Sequence, residues 1–442
     1  MSKSSSLLFA FRPQVQARLY EFYEELRGGD EIYWDRHLSA WIATGYDAVS
    51  NAARNPSLSS VRYPDIDTLS EELRPLAKVL SQQMLYSDTP DHPRLRSLIS
   101  RAFTPQALSS LRPKISESVD RIIAEAAPNG RMDIVADLAR PLPFAVICDL
   151  FGIPQKDHAE LASWSEPIAE AIGNSRLEAD RNREASHSMT QMITYFRELL
   201  TSADSPESSH GLRGLTTAKA ATSGQDFEEL LANCALLLIA GHETTTHFIG
   251  NAMYALLHHP HAADELRTHP DLMPAAVEEL LRYDSPVQLM LRRAKHDLEL
   301  AGHHVEEGQT VLLLCGAANR DATVFSEPGV LDFRRPNRRH MAFGHGPHTC
   351  LGLSLARLEG AIALEAMLTR LPDLRYVGGE PQWQRSLNFR GLRRLDVAFT
   401  PFNFEQGRMT GDSSWEDSHQ ESSQLAVHER GGCPAHERPG AV

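Results

Sequence analysis

The chain has 442 residues, of which 42% are hydrophobic and 23% charged, and its formal net charge is −14. That length suffices for one large core or two smaller ones, and an acidic balance with no offsetting basic stripe argues against a nucleic-acid partner. Five cysteines (Cys148, Cys234, Cys315, Cys350 and Cys433) stand without paired spacing, no charged-then-apolar leader precedes Phe9, and no apolar run approaches the ~20 residues that span a bilayer; a cytoplasmic protein without a membrane anchor is expected.

From the amino terminus, the stretch Ile32 to Thr44 carries Tyr33, Trp34, Trp41 and Ile42 and reads as a β-hairpin. Asp88 to Arg96 opens a helix in which His92 and Arg96, one turn apart, share a face; taken alone, that is an ordinary polar face. Residues 201–225, rich in Ser, Gly and Ala, read as a mobile surface connection. They lead into a helix from about Phe227 to His259, roughly 50 Å long at ~1.5 Å per residue. The consecutive Thr244, Thr245 and Thr246 fit a helix interior poorly, and a hydroxyl bonded back to the carbonyl one turn earlier can leave a notch beside Ala240 and Gly241. His242 and His247 superficially suggest a zinc helix, but residues at that spacing sit roughly 140° apart around the axis and cannot share an ion.

Further on, Glu279 and Arg282 share a helix face at i,i+3, alone no more than a surface ion pair. Leu298–Leu300 and Thr310–Leu314 read as a pair of strands. In Phe343-Gly344-His345-Gly346-Pro347-His348-Thr349-Cys350-Leu351-Gly352, the first two glycines permit tight turns and Gly352 leaves room for a flat ligand. Amides at the start of the following helix favour thiolate at Cys350, and an anionic sulfur so placed can serve as an axial iron ligand. His345, His348 and Cys350 lack the paired cysteines that would complete a zinc site. From Glu405 the composition is polar, charged and aperiodic, so residues 405–442 are expected to be a disordered tail in which Cys433 ligates nothing.

Phe343, Gly344, Gly346, His348, Cys350 and Gly352 together match the cysteine loop of the cytochrome P450 superfamily, which the chain resembles from about Leu19 to Phe402. Ala240-Gly241-His242-Glu243-Thr244-Thr245 resembles the family's oxygen-binding segment, and Glu279 with Arg282 resembles a third element that Arg335 would complete. The resemblance implies a mainly α fold with a small β region, the triangular prism of haem-thiolate monooxygenases. A single domain over residues 1–404 follows, since His92 through Cys350 must converge on one group. It implies haem b with Cys350 on the iron, Phe343, Gly344, Gly352, Ala240 and Gly241 around it, and His92, Arg96, Arg292 and His348 on the propionates. Glu243 and Thr244 would deliver protons, whereas Glu279, Arg282 and Arg335 would serve folding, because an orphaned buried charge is costly.

The same resemblance implies O2 as co-substrate and electrons from NAD(P)H through a separate ferredoxin and ferredoxin reductase. Arg334, Arg335, Arg338 and Arg339, with Arg94, Arg96 and Arg101, offer such a partner a basic face. Pocket walls are expected from Leu236, Leu237, Ala240, Val287, Leu289, Met290 and Phe389, a largely apolar set. The stretches around Asp88–His92, Pro141–Ile147 and Val277–Tyr283 most resemble bacterial members that oxidise polyketides, so hydroxylation or epoxidation of a bulky apolar secondary metabolite leads the expectations. An acyl or aminoacyl group tethered to an acyl carrier protein is the alternative. A peroxide-driven haem enzyme or a haem sensor is the third.

Overall fold

A helix that is apolar on every side must be covered on every side, and the stretch after Phe227 is the clearest case. In the computed structural model it forms one unbroken helix, Gln225–His258, buried almost throughout. Its 34 residues give a length of about 50 Å. The structure describes residues 6–28, 30–62, 65–173, 178–201, 224–336 and 339–403. Met1–Phe402 group into one compact unit. The expected tail at 405–442, with Cys433, and residues 202–223 of the expected connection lie outside the described residues.

Around the long helix pack Pro141–Phe151, Ala179–Thr201, Met273–Tyr283 and Leu353–Arg370. The contact with Leu353–Arg370 runs through Phe248 and Gly360: a Cβ at Gly360 would lie 2.3 Å from a Phe248 ring carbon, so only glycine allows this approach. The elements bearing Thr244 and Cys350 are thereby locked to one another.

Strands occupy a smaller share. The hairpin Ile32–Asp35 and Ala40–Ala43 pairs antiparallel, with Trp34 opposite Trp41 and their rings edge to face at 5.5 Å. Ala40–Ala43 continues in parallel onto Thr310–Leu313, which pairs antiparallel with Met290–Ala294, and Leu58–Ser59 closes the five-stranded sheet. This corrects the expected pairing of Leu298–Leu300 with Thr310–Leu314. Leu298–Leu300 instead forms a tight hairpin with His303–Val305, turned at Ala301-Gly302, where both residues take positive φ. A local turn closes a far shorter loop than the longer-range pairing would.

Inside this frame Glu279, Arg282 and Arg335 are nearly inaccessible to solvent and satisfy one another. Arg282 Nε and Nη2 donate to the two Glu279 oxygens at 2.8 and 2.7 Å, and Arg335 Nε donates to the same carboxylate at 3.1 Å. The remaining guanidinium hydrogens reach the carbonyls of Asn319, Pro328 and Val330. Residues 319–335 are thus tied to helix Met273–Tyr283 just upstream of the cysteine loop.

Candidate active site

The cysteine loop forms as its glycines require. Gly344 and Gly346 have φ of 71° and 78°, a region that side chains rarely adopt, and a Cβ at Gly346 would press on Arg54 Cγ at 2.9 Å. The Cys350 N–H donates to the Phe343 carbonyl at 2.8 Å, closing the loop on itself, and the helix proper starts at Leu353. A Cβ at Gly352 would meet nothing nearer than a Phe103 ring carbon at 3.8 Å, so the space beside the sulfur is open. Arg357 anchors the loop from behind: its guanidinium lies 4.8 Å from the Phe343 ring centre and grips both oxygens of Glu278 at 2.6 and 2.8 Å.

Burial pushes the Cys350 thiol up, and the Gly352 N–H with the charges of Arg96 and Arg357 only partly offset this. The Gly352 amide thus acts on the sulfur in the direction that favours thiolate, against the burial.

Across the loop, His92, Arg96, Arg292 and His348 gather at one place. The His92 and His348 rings lie 4.0 Å apart, and His348 Nε2 is 3.0 Å from the Ser60 hydroxyl. Burial, then the charges of Arg292 and His92, force His348 down to about 3, and burial and Arg96 lower His92. Arg292 is 6% exposed, its Nη1 reaches only the neighbouring Leu291 carbonyl at 2.8 Å, and its Nη2 is buried without a hydrogen-bond partner among the described residues. The nearby carboxylate, Asp88, is already engaged by Ser59, the Ser60 N–H and Lys295. So many donors with so little negative charge form a site for an anion.

On the long helix the burial pattern breaks at one place. Ala240 is exposed and Gly241, Glu243 and Thr244 are half-buried, while the turns on either side are fully covered. The expected back-bond forms, from Thr244 Oγ1 to the Ala240 carbonyl at 3.1 Å, yet the helix stays continuous. Gly241 serves packing: a Cβ there would meet Ile147 at 3.1 Å, so the glycine admits helix Pro141–Phe151. Glu243 is not free to act as a simple acid. Burial alone would raise its carboxyl, but the hydrogen bond and charge of His247, with His242 and Arg140, reverse this and hold it at about 2.

The pocket residues divide. Leu236 and Leu237 flank the opening on the long helix, and Val287 bridges to Phe389. Leu289 has core neighbours. It belongs to a core with Leu7, Leu19 and Phe22, and Leu291 packs on the same core, while Met290, on the opposite face of the strand, packs against Leu313 and Met341 with its sulfur 3.4 Å from where a Gly344 Cβ would stand. The expected basic face thins as well. Arg335 is spent on Glu279, Arg334 pairs with Glu265, and Arg94 reaches Glu229 at 2.7 Å, while Arg338 lies outside the described residues. Sequence reading missed Ser60, Asp88 and Phe103, which carry no spacing signal, and His247, whose i,i+4 relation to Glu243 was a readable one.

Haem fits these residues: a sulfur beside open space, an orphaned guanidinium nitrogen within a donor cluster suited to carboxylates, and an uncovered patch on an otherwise covered helix. Cytochrome P450 is also the family whose profile matches residues 32–372. The chain is 36% identical over 382 residues to the biotin biosynthesis cytochrome P450 of Bacillus subtilis (strain 168), covering 86% of this chain and 96% of that protein. It is 36% identical over 325 residues to the polyketide biosynthesis cytochrome P450 PksS of the same organism, covering 73% and 78%. Among solved structures, P450BioI in complex with an acyl carrier protein ligated to hexadec-9Z-enoic acid matches with a TM-score of 0.81 and 35% identity over 87% of this chain and 99% of that one.

Proposed function

Because this chain belongs to the cytochrome P450 family and is a haem-thiolate monooxygenase, we propose that it inserts one oxygen atom from O2, by hydroxylation or epoxidation, into a bulky and largely apolar secondary metabolite such as a polyketide. The observation that carries this reading is the opening at Ala240–Thr244, flanked by Leu236 and Leu237. An apolar wall at the reactive face selects substrates by area and shape.

Haem b bound through Cys350 supplies reductive activation of dioxygen, with one oxygen atom going to substrate and the other to water. Cys350 would hold the iron, and Arg292 Nη2, His92, Arg96 and His348 would hold the propionates. Phe343 and Arg357 brace the loop beneath the sulfur. Thr244 presents its hydroxyl at the exposed turn, where it gives its one hydrogen to the Ala240 carbonyl and keeps its lone pairs to accept; rotation away from that carbonyl frees the hydrogen for a new partner. Glu243, one residue back, relays protons to that hydroxyl. Electrons come from redox partner proteins, as in bacterial P450s, and a ferredoxin with its NAD(P)H-dependent reductase in the cytoplasm is the proposed source. No helix among the described residues is long and apolar enough to cross a membrane.

A second reading is favoured by one relative: the solved complex of P450BioI with a fatty-acyl carrier protein makes a tethered acyl chain a reasonable substrate here. Titrating the ferric protein with a macrolactone, free palmitoleic acid and palmitoleoyl carrier protein separates the two. A Soret shift with the macrolactone alone supports the first reading. A shift only with the carrier-bound chain replaces it with the second.

A further inference from the structure

This inference rests on the reading of Glu243 as a proton carrier. Glu243 lies between two imidazoles of its own helix: His247 Nε2 is 3.2 Å from Oε1, and His242 Nε2 is 3.9 Å from Oε2. The rings play opposite parts. His242 Nδ1 is 2.6 Å from the Leu238 carbonyl, and a carbonyl only accepts, so Nδ1 carries a hydrogen and Nε2 is turned toward Glu243. Burial lowers that ring's affinity for a second proton, while the Glu243 charge and the Leu238 carbonyl work the other way. His247 is reversed. Its Nε2 faces a carboxylate, which also only accepts, so Nε2 carries the hydrogen there, and Nδ1 is buried without a hydrogen-bond partner among the described residues.

The His247 ring is wedged in place. A Cβ at Gly391 would lie 2.0 Å from Nδ1, so the ring occupies the space a side chain would need, and the Phe389 ring centre is 6.2 Å away. The other charged group facing Glu243 is Arg140, at the head of Pro141–Phe151. From that helix Ile147 and Phe144 are apolar neighbours, and Asp137 upstream accepts from the Asp133 N–H instead. Arg390, in the turn behind His247, donates to Asp284 and Gln16.

We propose that His247 is a positioning residue for proton delivery: its fixed Nε2–H holds the Glu243 side chain as a carboxylate one residue before Thr244, so that Glu243 carries a proton only in transit. Glu243 takes a proton from the solvent and hands it to the Thr244 oxygen as that hydroxyl gives its own hydrogen onward into the opening; the carboxylate is thereby restored, and no electron moves. Without the clamp, burial is opposed by the charges of His242 and Arg140 but no longer by His247, and Glu243 moves toward the neutral acid.

Infrared difference spectra of the ferric protein over a pH titration read this without turnover, with Glu243→Gln assigning the acid carbonyl band. The parent shows no such band at neutral pH. His247→Leu raises the midpoint of the band by at least ~2 pH units, whereas His247→Gln, whose amide can still donate to Oε1, stays near the parent. His247→Asn, too short to reach, replaces the leucine variant should that not fold. Coincident midpoints in the leucine (or asparagine) and glutamine variants overturn the role of His247. A Glu243→Gln protein that releases no more hydrogen peroxide per NADPH than the parent, with ferredoxin and reductase supplied, instead sinks the underlying proton-carrier reading.

Discussion

Arg282 and Arg292 are both buried, at 1% and 6% exposure, and the protein treats them oppositely. Arg282 has all its guanidinium nitrogens engaged by Glu279 and by the carbonyls of Asn319, Pro328 and Val330. Arg292 keeps Nη2 unpartnered beside His92 and His348, with burial pressing its own charge down. One cluster is closed by folding; the other leaves a buried donor open among the described residues, and we propose that an anion from outside the chain completes it. Burial alone therefore does not distinguish a structural arginine from a functional one, whereas the tally of satisfied hydrogens does.

The sharpest break in that contrast comes from Glu279→Ala, which strands two buried guanidinium groups and should cost about 3–5 kcal/mol. Thermal melting of the haem-loaded protein checks it; a melting point within a degree or two of the parent would make the closed cluster incidental. Arg292→Leu should act the other way round. Only the bond to the neighbouring Leu291 carbonyl is lost within the fold, so melting should change little, but a charge-assisted bond to propionate worth about 1.5–3 kcal/mol disappears, so haem transfer to an acceptor globin should quicken about ten- to hundredfold. Equal transfer rates would mean that Nη2 is not waiting for haem. Thr244→Ala should leave melting nearly unchanged while more of the consumed reductant appears as hydrogen peroxide; full coupling to product would remove Thr244 from proton delivery.

The smallest effect concerns acid. Burial would raise Glu278, but His340 and Arg357 bring it from the ordinary 4.5 down to about 2. A carboxyl depressed on folding adds stability above its unfolded value and loses it as pH falls through the folded one. Glu278→Gln should therefore be less stable than the parent at neutral pH, with the gap narrowing between about pH 4.5 and pH 2. A gap that stays constant across that window would mean that the charge on Glu278 contributes nothing.

The same distinction explains what the sequence made legible. Glycines at 344 and 346, the cysteine between them and the following helix, and the all-round apolar helix carrying the threonines are local signals, set by backbone freedom and periodicity. Leu289 shows the limit of such signals: an apolar residue beside a strand gives no sign of which face meets the core, and the face is settled by pairing with residues 310–313. The partner of Leu298–Leu300 was misplaced for a related reason: two short apolar runs were visible, but the tight turn at Ala301-Gly302 between them was not weighed. Ser60 and Phe103 reach the site only through tertiary packing, from segments with no chemistry of their own on display, and Asp88, though it opens the segment of His92 and Arg96, shows its role only once Ser59, Ser60 and Lys295 fold onto it.

The most direct test of the account is the ferrous carbon monoxide spectrum of the purified haem protein beside that of Cys350→Ala. The account predicts the red-shifted Soret band of thiolate-ligated haem in the parent and its disappearance in the variant. The same band in both proteins would contradict it.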